Sequence, residues 1–65
     1  MSRYDEIIMK VLEDAEKRNK AVSVDTISFV TDIPRRTVSE HLQRLERDDE
    51  VEVKTNRRSR YFKKR

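Results

Sequence analysis

The sequence contains no cysteine and no glycine, and its one proline is Pro34. Without cysteine there is no disulfide to staple a small fold and no thiolate to hold a metal. The absence also suits a reducing cytoplasm. Without glycine there is no Gly-rich loop of the kind that cradles phosphates. No apolar run approaches the roughly 20 residues of a membrane span. The start, MSRYDEII, lacks the apolar stretch of a secretory signal. His41 is the single histidine, so no cluster marks a metal or catalytic site. The expectation is a soluble, cytoplasmic protein that is not an enzyme, with no metal, cofactor, small-molecule ligand or membrane partner.

Acid is missing from one end. From Val53 onward there are seven Lys/Arg and no Asp/Glu. The formal net charge of +3 therefore hides an asymmetry: residues 1–33 carry five basic against seven acidic side chains, residues 34–65 eleven against six. A basic half of this kind suits a polyanionic partner. The 65 residues allow a single domain, residues 1–65, with a thin core, since a chain this short buries only about 60% of its unfolded surface. Charged residues make up 45% of the chain, a level that can signal disorder. The apolar residues nevertheless recur with clear periods, which argues for folding.

Tyr4, Ile7, Ile8, Val11, Leu12 and Ala15 follow helical steps of three and four, predicting a first helix over residues 3–18. Ser2 and Asp5 fit a capping box at its start. Ala21-Val22 is a short extended piece. Ser23 suits an N-cap, and Val22 with Ile27 suits a hydrophobic staple, predicting a second helix over 24–30. After the turn Thr31-Asp32-Ile33, Pro34 fits the first turn of a third helix over 34–48, with Val38, His41, Leu42 and Leu45 at helical spacing. Val51 to Lys54 alternates with period two, Asn56 to Ser59 is polar, and Tyr61-Phe62 begins a return strand, so a hairpin over 51–64 is expected. The fold class is mainly α with a small β-hairpin, in the order α-β-α-α-β-β.

The stretch VSVDTISFVTDIPRRTVSEHLQRLERDDEVEV, with a helix before it and a hairpin after it, resembles a winged helix-turn-helix domain of the kind found in small bacterial and archaeal repressors. The resemblance covers essentially the whole chain and points to the fold rather than to one family within it. It implies duplex-DNA binding and transcription regulation, with IPRRTVSEHLQRLE as the recognition helix and NRRSR as the wing tip. The sequence departs from the pattern at Asp32 and Asp49, where glycine is common, and at the wing, where Asn56 stands in a usually Gly-rich tip and can take a positive φ. Phe29 and Val30 occupy positions that are often polar.

With Val38, Leu42 and Leu45 inward, Arg36, Glu40, Gln43 and Arg47 point the opposite way at about 100° per residue. Arg pairs with guanine, Gln with adenine, and Glu accepts from cytosine. The N-terminal part of such a helix does most of the reading. Arg36, Ser39, Glu40 and Gln43 are therefore the expected base-reading residues, with Arg47 too far along. Arg35, Thr37, Arg44 and Lys54 suit phosphates, and Arg57, Arg58 and Arg60 suit a minor groove or its backbone. Lys63, Lys64 and Arg65 can add phosphate contacts. The bland alternative for the third helix is a solvated face of i,i+4 pairs such as Arg36–Glu40, each worth only ~0.2–0.5 kcal/mol. His41 is expected to pack partly buried. One of Tyr61 and Phe62 is expected in the core and the other half exposed, because neighbours in a strand face opposite sides. Two other functions compete: a protein-interaction adaptor using Met9, Phe29 and Val30, and an RNA or single-strand binder stacking bases on Tyr61 or Phe62. A homodimer through the first helix or the Phe29 region is also expected, since two half-sites raise specificity.

Overall fold

A computed structural model describes residues 2–65 and contains three helices followed by a two-stranded antiparallel hairpin. The elements are α1 (Arg3–Lys17), α2 (Val24–Thr31), α3 (Arg35–Arg47), β1 (Val51–Asn56) and β2 (Ser59–Lys64). Each begins and ends within one residue of its expected bounds. No helix among the described residues is long and apolar enough to cross a membrane.

Local chemistry explains the helix ends. Ser2 caps α1 by accepting from the Asp5 N–H at 3.1 Å, and Asp5 reaches back to the Ser2 N–H at 3.4 Å, completing the capping box. Ser23 caps α2 through the Thr26 N–H at 3.2 Å. Pro34 is the N-cap of α3 rather than its first helical residue, and no side chain caps that terminus. Both α1 and α3 end in a Schellman arrangement. The Lys20 N–H donates to the Ala15 carbonyl and the Glu50 N–H to the Leu45 carbonyl, with Asn19 and Asp49 at φ 56° and 64°. Asp32 makes the bend between α2 and α3 at φ 60°. Ser28 Oγ and Thr31 Oγ1 donate to the Ile33 and Ile27 carbonyls, both at 2.6 Å, and hold that bend. Left-handed positions that glycine would ordinarily take thus fall on Asn and Asp, the residues that tolerate them best.

The hairpin departs from expectation at its tip. Asn56 pairs with Ser59, so the loop is Arg57-Arg58, and the positive φ of 59° falls on Arg57. The ladder register is set by the buried side of the hairpin, Val51 and Phe62 with Val53 beside them, and the core therefore decides which residues turn. Glycine is preferred at the first position of a two-residue loop with this geometry. Arg57→Gly is expected to raise stability by about 0.5–1 kcal/mol, lifting Tm by a few degrees in a thermal melt.

The core gathers Ile8 and Leu12 from α1, Ile27 from α2, Ile33 from the bend, Val38, Leu42 and Leu45 from α3, and Val51 and Phe62 from the hairpin. Phe62 does a second job. Its backbone N–H and C=O pair with Val22 at 2.7 and 2.9 Å, so the extended piece before α2 lies along β2. The hairpin is in this way fastened to the helices at its middle while its tip projects. Tyr61, on the opposite face, is half-buried, as the alternation requires. Met9, expected on an adaptor's partner surface with Phe29 and Val30, is instead 7% accessible and belongs to the core. α1 packs against α2, α3 and β2 together, so its buried face is wider than the apolar stripe and takes in Met9.

Candidate nucleic-acid interface

Burial of Val38, Leu42 and Leu45 turns the opposite side of α3 to solvent. Arg36, Glu40, Gln43 and Arg47 are exposed there, with Ser39 and Thr37 half-buried at the margins. The Arg36 side chain is 92% accessible, and its Nε lies 3.9 Å from Glu40 Oε2. An exposed pair at that separation holds Arg36 only weakly. Arg36, Ser39, Glu40 and Gln43 are thus on one helix over two turns, none of them in the core. The uncapped start of α3 adds free N–H groups and their partial positive charge to this end of the face.

The basic residues around α3 divide into held and free. Arg35 Nη1 lies 3.1 Å from Asp25 Oδ1, tying the start of α3 to the start of α2. Arg60 Nη2 lies 3.6 Å from Glu46 Oε1, and its guanidinium stands 5.5 Å from the centre of the Phe62 ring. Lys64 pairs with Glu13 at 3.3 Å and Arg65 with Asp49 at 3.0 Å. Among the described residues Arg47, Lys54, Arg57, Arg58 and Lys63 have no ion-pair partner. The hairpin tip is near the start of α2: Ser23, Val24 and Asp25 line a cleft with Arg58, Ser59 and Arg60. Through Asp25 that cleft adjoins Arg35. The start of α3 and the hairpin tip therefore both adjoin the start of α2, and Arg35, Arg58 and Arg60 form a basic rim around Asp25.

Arg44 stands apart from the other expected phosphate residues. Its Nη2 donates to both carboxylate oxygens of Asp5, at 2.9 and 2.8 Å. His41 Nδ1 lies 2.6 Å from Asp5 Oδ1. A proton on Nδ1 lets the ring donate to that carboxylate, and the same nitrogen also lies 2.9 Å from Arg44 Nη2. Tyr4 meets the His41 ring edge-on with centroids 5.5 Å apart. Asp5 is only 5% accessible and is the buried charge of the molecule's core margin. Burial alone would raise its pKa. The hydrogen bonds from His41 and Arg44, then the Ser2 N–H and the Arg44 charge, outweigh that and hold it below the ordinary value of 3.8. The cluster fastens the first turn of α1 to the middle of α3, and so sets how α3 is presented. In the sequence Asp5 stands out only as a capping residue and His41 only as a packing one. The spacing of His41 and Arg44, three apart on one helix face, is the sole local hint of their joint role.

Phe29 and Val30 lie on α2 away from Ile27 and are 89% and 62% accessible. They take no part in the basic rim. No protein-family model, curated protein or solved structure matches this chain.

Proposed function

We propose that this chain is a winged helix-turn-helix module that binds double-stranded DNA and regulates transcription, acting on the nucleoid in the cytoplasm. The observation that carries the reading is the outward side of α3, polar and unused in packing, beside a basic hairpin tip fastened to the same helices. α3 enters the major groove, where Arg36, Ser39, Glu40 and Gln43 meet base edges. Arg35, Thr37 and Lys54 take phosphates, and Arg57, Arg58 and Arg60 reach the adjacent minor groove or its backbone. Arg44 serves instead as the strut between α1 and α3, because its guanidinium is already committed to Asp5.

The test is fluorescence anisotropy of a labelled random duplex beside single-stranded DNA and RNA of equal length. The duplex is expected to bind in the micromolar range or tighter at low salt. The single strands are expected to bind more weakly, because Phe62 is buried and Tyr61 half-buried, leaving no fully exposed aromatic ring in the basic hairpin. Preferential single-strand binding would move the activity to the Tyr61 face. An adaptor role predicts instead no nucleic-acid binding and a loss of partner capture when Phe29 is made polar.

A further inference from the structure

Ser59 stands between Arg57-Arg58 and Arg60, and DNA binding leaves it without a role. Its hydroxyl is uncommitted. Ser2 and Ser23 cap helices, Thr26 bonds to Ser23, and Ser28 and Thr31 donate to backbone carbonyls. Thr37 and Ser39 are half-buried on α3. Among the described serines and threonines, only Thr55 and Ser59 are exposed without a side-chain hydrogen bond. Ser59 is also the first residue of β2, at the projecting end of the hairpin.

Ser59 differs from Thr55 in where it lies. A cleft of about 290 Å³ separates the hairpin tip from the start of α2, and Ser59 lines it with Arg58 and Arg60, whereas Thr55 does not. Arg58 has no ion-pair partner among the described residues. Arg60 is half exposed and is held by Glu46 only at 3.6 Å. Two guanidiniums are therefore available to an anion carried on Ser59. The one carboxylate in the cleft wall, Asp25, is already paired with Arg35 at 3.1 Å. Ser23 and Val24 complete the wall at the start of a helix, where negative charge is favoured. A phosphoryl group suits this place. It carries about −1.5 to −2 charges at neutral pH, offers three strong acceptor oxygens, and pairs bidentately with Arg.

We propose that Ser59 is a phosphorylation site, and that the phosphoserine turns into this cleft, engages Arg58 and Arg60, and withdraws the hairpin tip from DNA. The step is a phosphoryl transfer. Ser59 Oγ attacks the γ-phosphorus of a nucleoside triphosphate, and the Oγ–P bond forms as the bond to the nucleoside diphosphate breaks. The hydroxyl proton passes to the base of a protein kinase that favours arginine-flanked serines. The consequence for binding rests on the duplex-DNA reading, while the site itself does not. The three arginines of the tip then face about two negative charges, so most of its positive charge is cancelled. With Arg58 and Arg60 each giving up a phosphate contact, the salt slope of duplex binding is expected to shrink by about 1.8.

The full chain carrying phosphoserine at position 59, made by peptide synthesis, tests both halves. In a phosphorus NMR titration its second phosphate ionisation is expected below the value of about 6 for an unrestrained phosphoserine. It is expected to return toward that value when Arg58→Ala and Arg60→Ala are combined, both positions being exposed and outside the core. An ionisation at the ordinary value, or one that the double change leaves where it was, would overturn the capture. In duplex anisotropy at about 100 mM salt, the phosphorylated chain is expected to bind roughly ten- to a hundredfold more weakly than the unmodified one, with the shallower slope. Equal affinities would overturn the regulatory role. An arginine-directed kinase with labelled nucleoside triphosphate is expected to label the wild-type chain and not Ser59→Ala. No labelling of the wild type, or equal labelling of Ser59→Ala, would overturn Ser59 as the acceptor. The phosphorus titration contains no nucleic acid, so a failure of DNA binding by the unmodified chain and a failure of this proposal are read separately.

Discussion

Asp5→Ala is expected to destabilise the fold by about 2–4 kcal/mol, the largest effect of any single surface-proximal substitution. The change leaves His41 Nδ1–H and the Arg44 guanidinium facing a gap beside the core, where each now donates to the same carboxylate at 2.6 to 2.9 Å. It also removes the second half of the α1 capping box. The cost falls short of a fully buried pair because the Arg44 side chain is half in water and can turn outward. Total stability for a chain of this length is of order 3–10 kcal/mol, so the variant sits near the edge of folding. Chemical denaturation at neutral pH checks it. A loss below about 0.5 kcal/mol would mean the cluster is incidental.

The same residue sets a pH dependence whose sign follows from its environment. The folded-state pKa of Asp5 is lowered relative to 3.8. Its stabilising contribution is therefore complete above 3.8 and is lost as pH falls through the lower folded value. Asp5→Asn keeps the size and one acceptor but cannot titrate. Its stability deficit against the wild type is expected to be widest at neutral pH and to narrow in acid, with the curves drawing together once pH has fallen below the lowered folded value. Parallel curves would show that Asp5 is not the group responsible.

Arg36→Ala and Arg58→Ala are expected to damage binding in different ways, and the difference separates reading from anchoring. Arg36 is on the outward face of α3 with only a loose hold on Glu40. Its loss is expected to cost about 1–3 kcal/mol on a preferred site, roughly 5- to 150-fold in affinity, and much less on random duplex. Arg58 lies at the hairpin tip without an ion-pair partner among the described residues. Its loss is expected to weaken every duplex alike and to lower the salt slope by about 0.9. Both side chains are exposed, so neither change should move Tm by more than a degree or two. Equal losses on all sequences for Arg36→Ala would assign it to phosphate instead.

Local rules made much of this molecule legible. Ser2 caps as its spacing with Asp5 predicts, Ser23 caps α2 as expected of a serine ahead of the Val22–Ile27 staple, and the Val38, Leu42, Leu45 period fixes which side of α3 is buried. Asp32 and Asp49 adopt the left-handed angles that their place after a helix demands. Local rules fail where distant segments decide. Asp5 meets His41 and Arg44 across 36 and 39 residues, and no neighbouring residue announces the contact. Met9 is buried because β2 joins α3 on α1, which periodicity within α1 alone does not reveal. At the hairpin tip the residue best suited to a positive φ, Asn56, is overruled by the register that buries Phe62, and Arg57 takes the angle. The partner of Val22 is likewise visible only once β2 is in place.

The central claim is that the basic rim and the outward side of α3 meet duplex DNA, and a salt titration of random-duplex binding tests it most directly. With roughly five phosphates neutralised per chain, log affinity plotted against log salt is expected to fall with a slope of about −4.5. Affinity then drops several-hundred-fold between about 50 and 200 mM salt. No duplex binding at about 50 mM, or binding that is indifferent to salt, would contradict it.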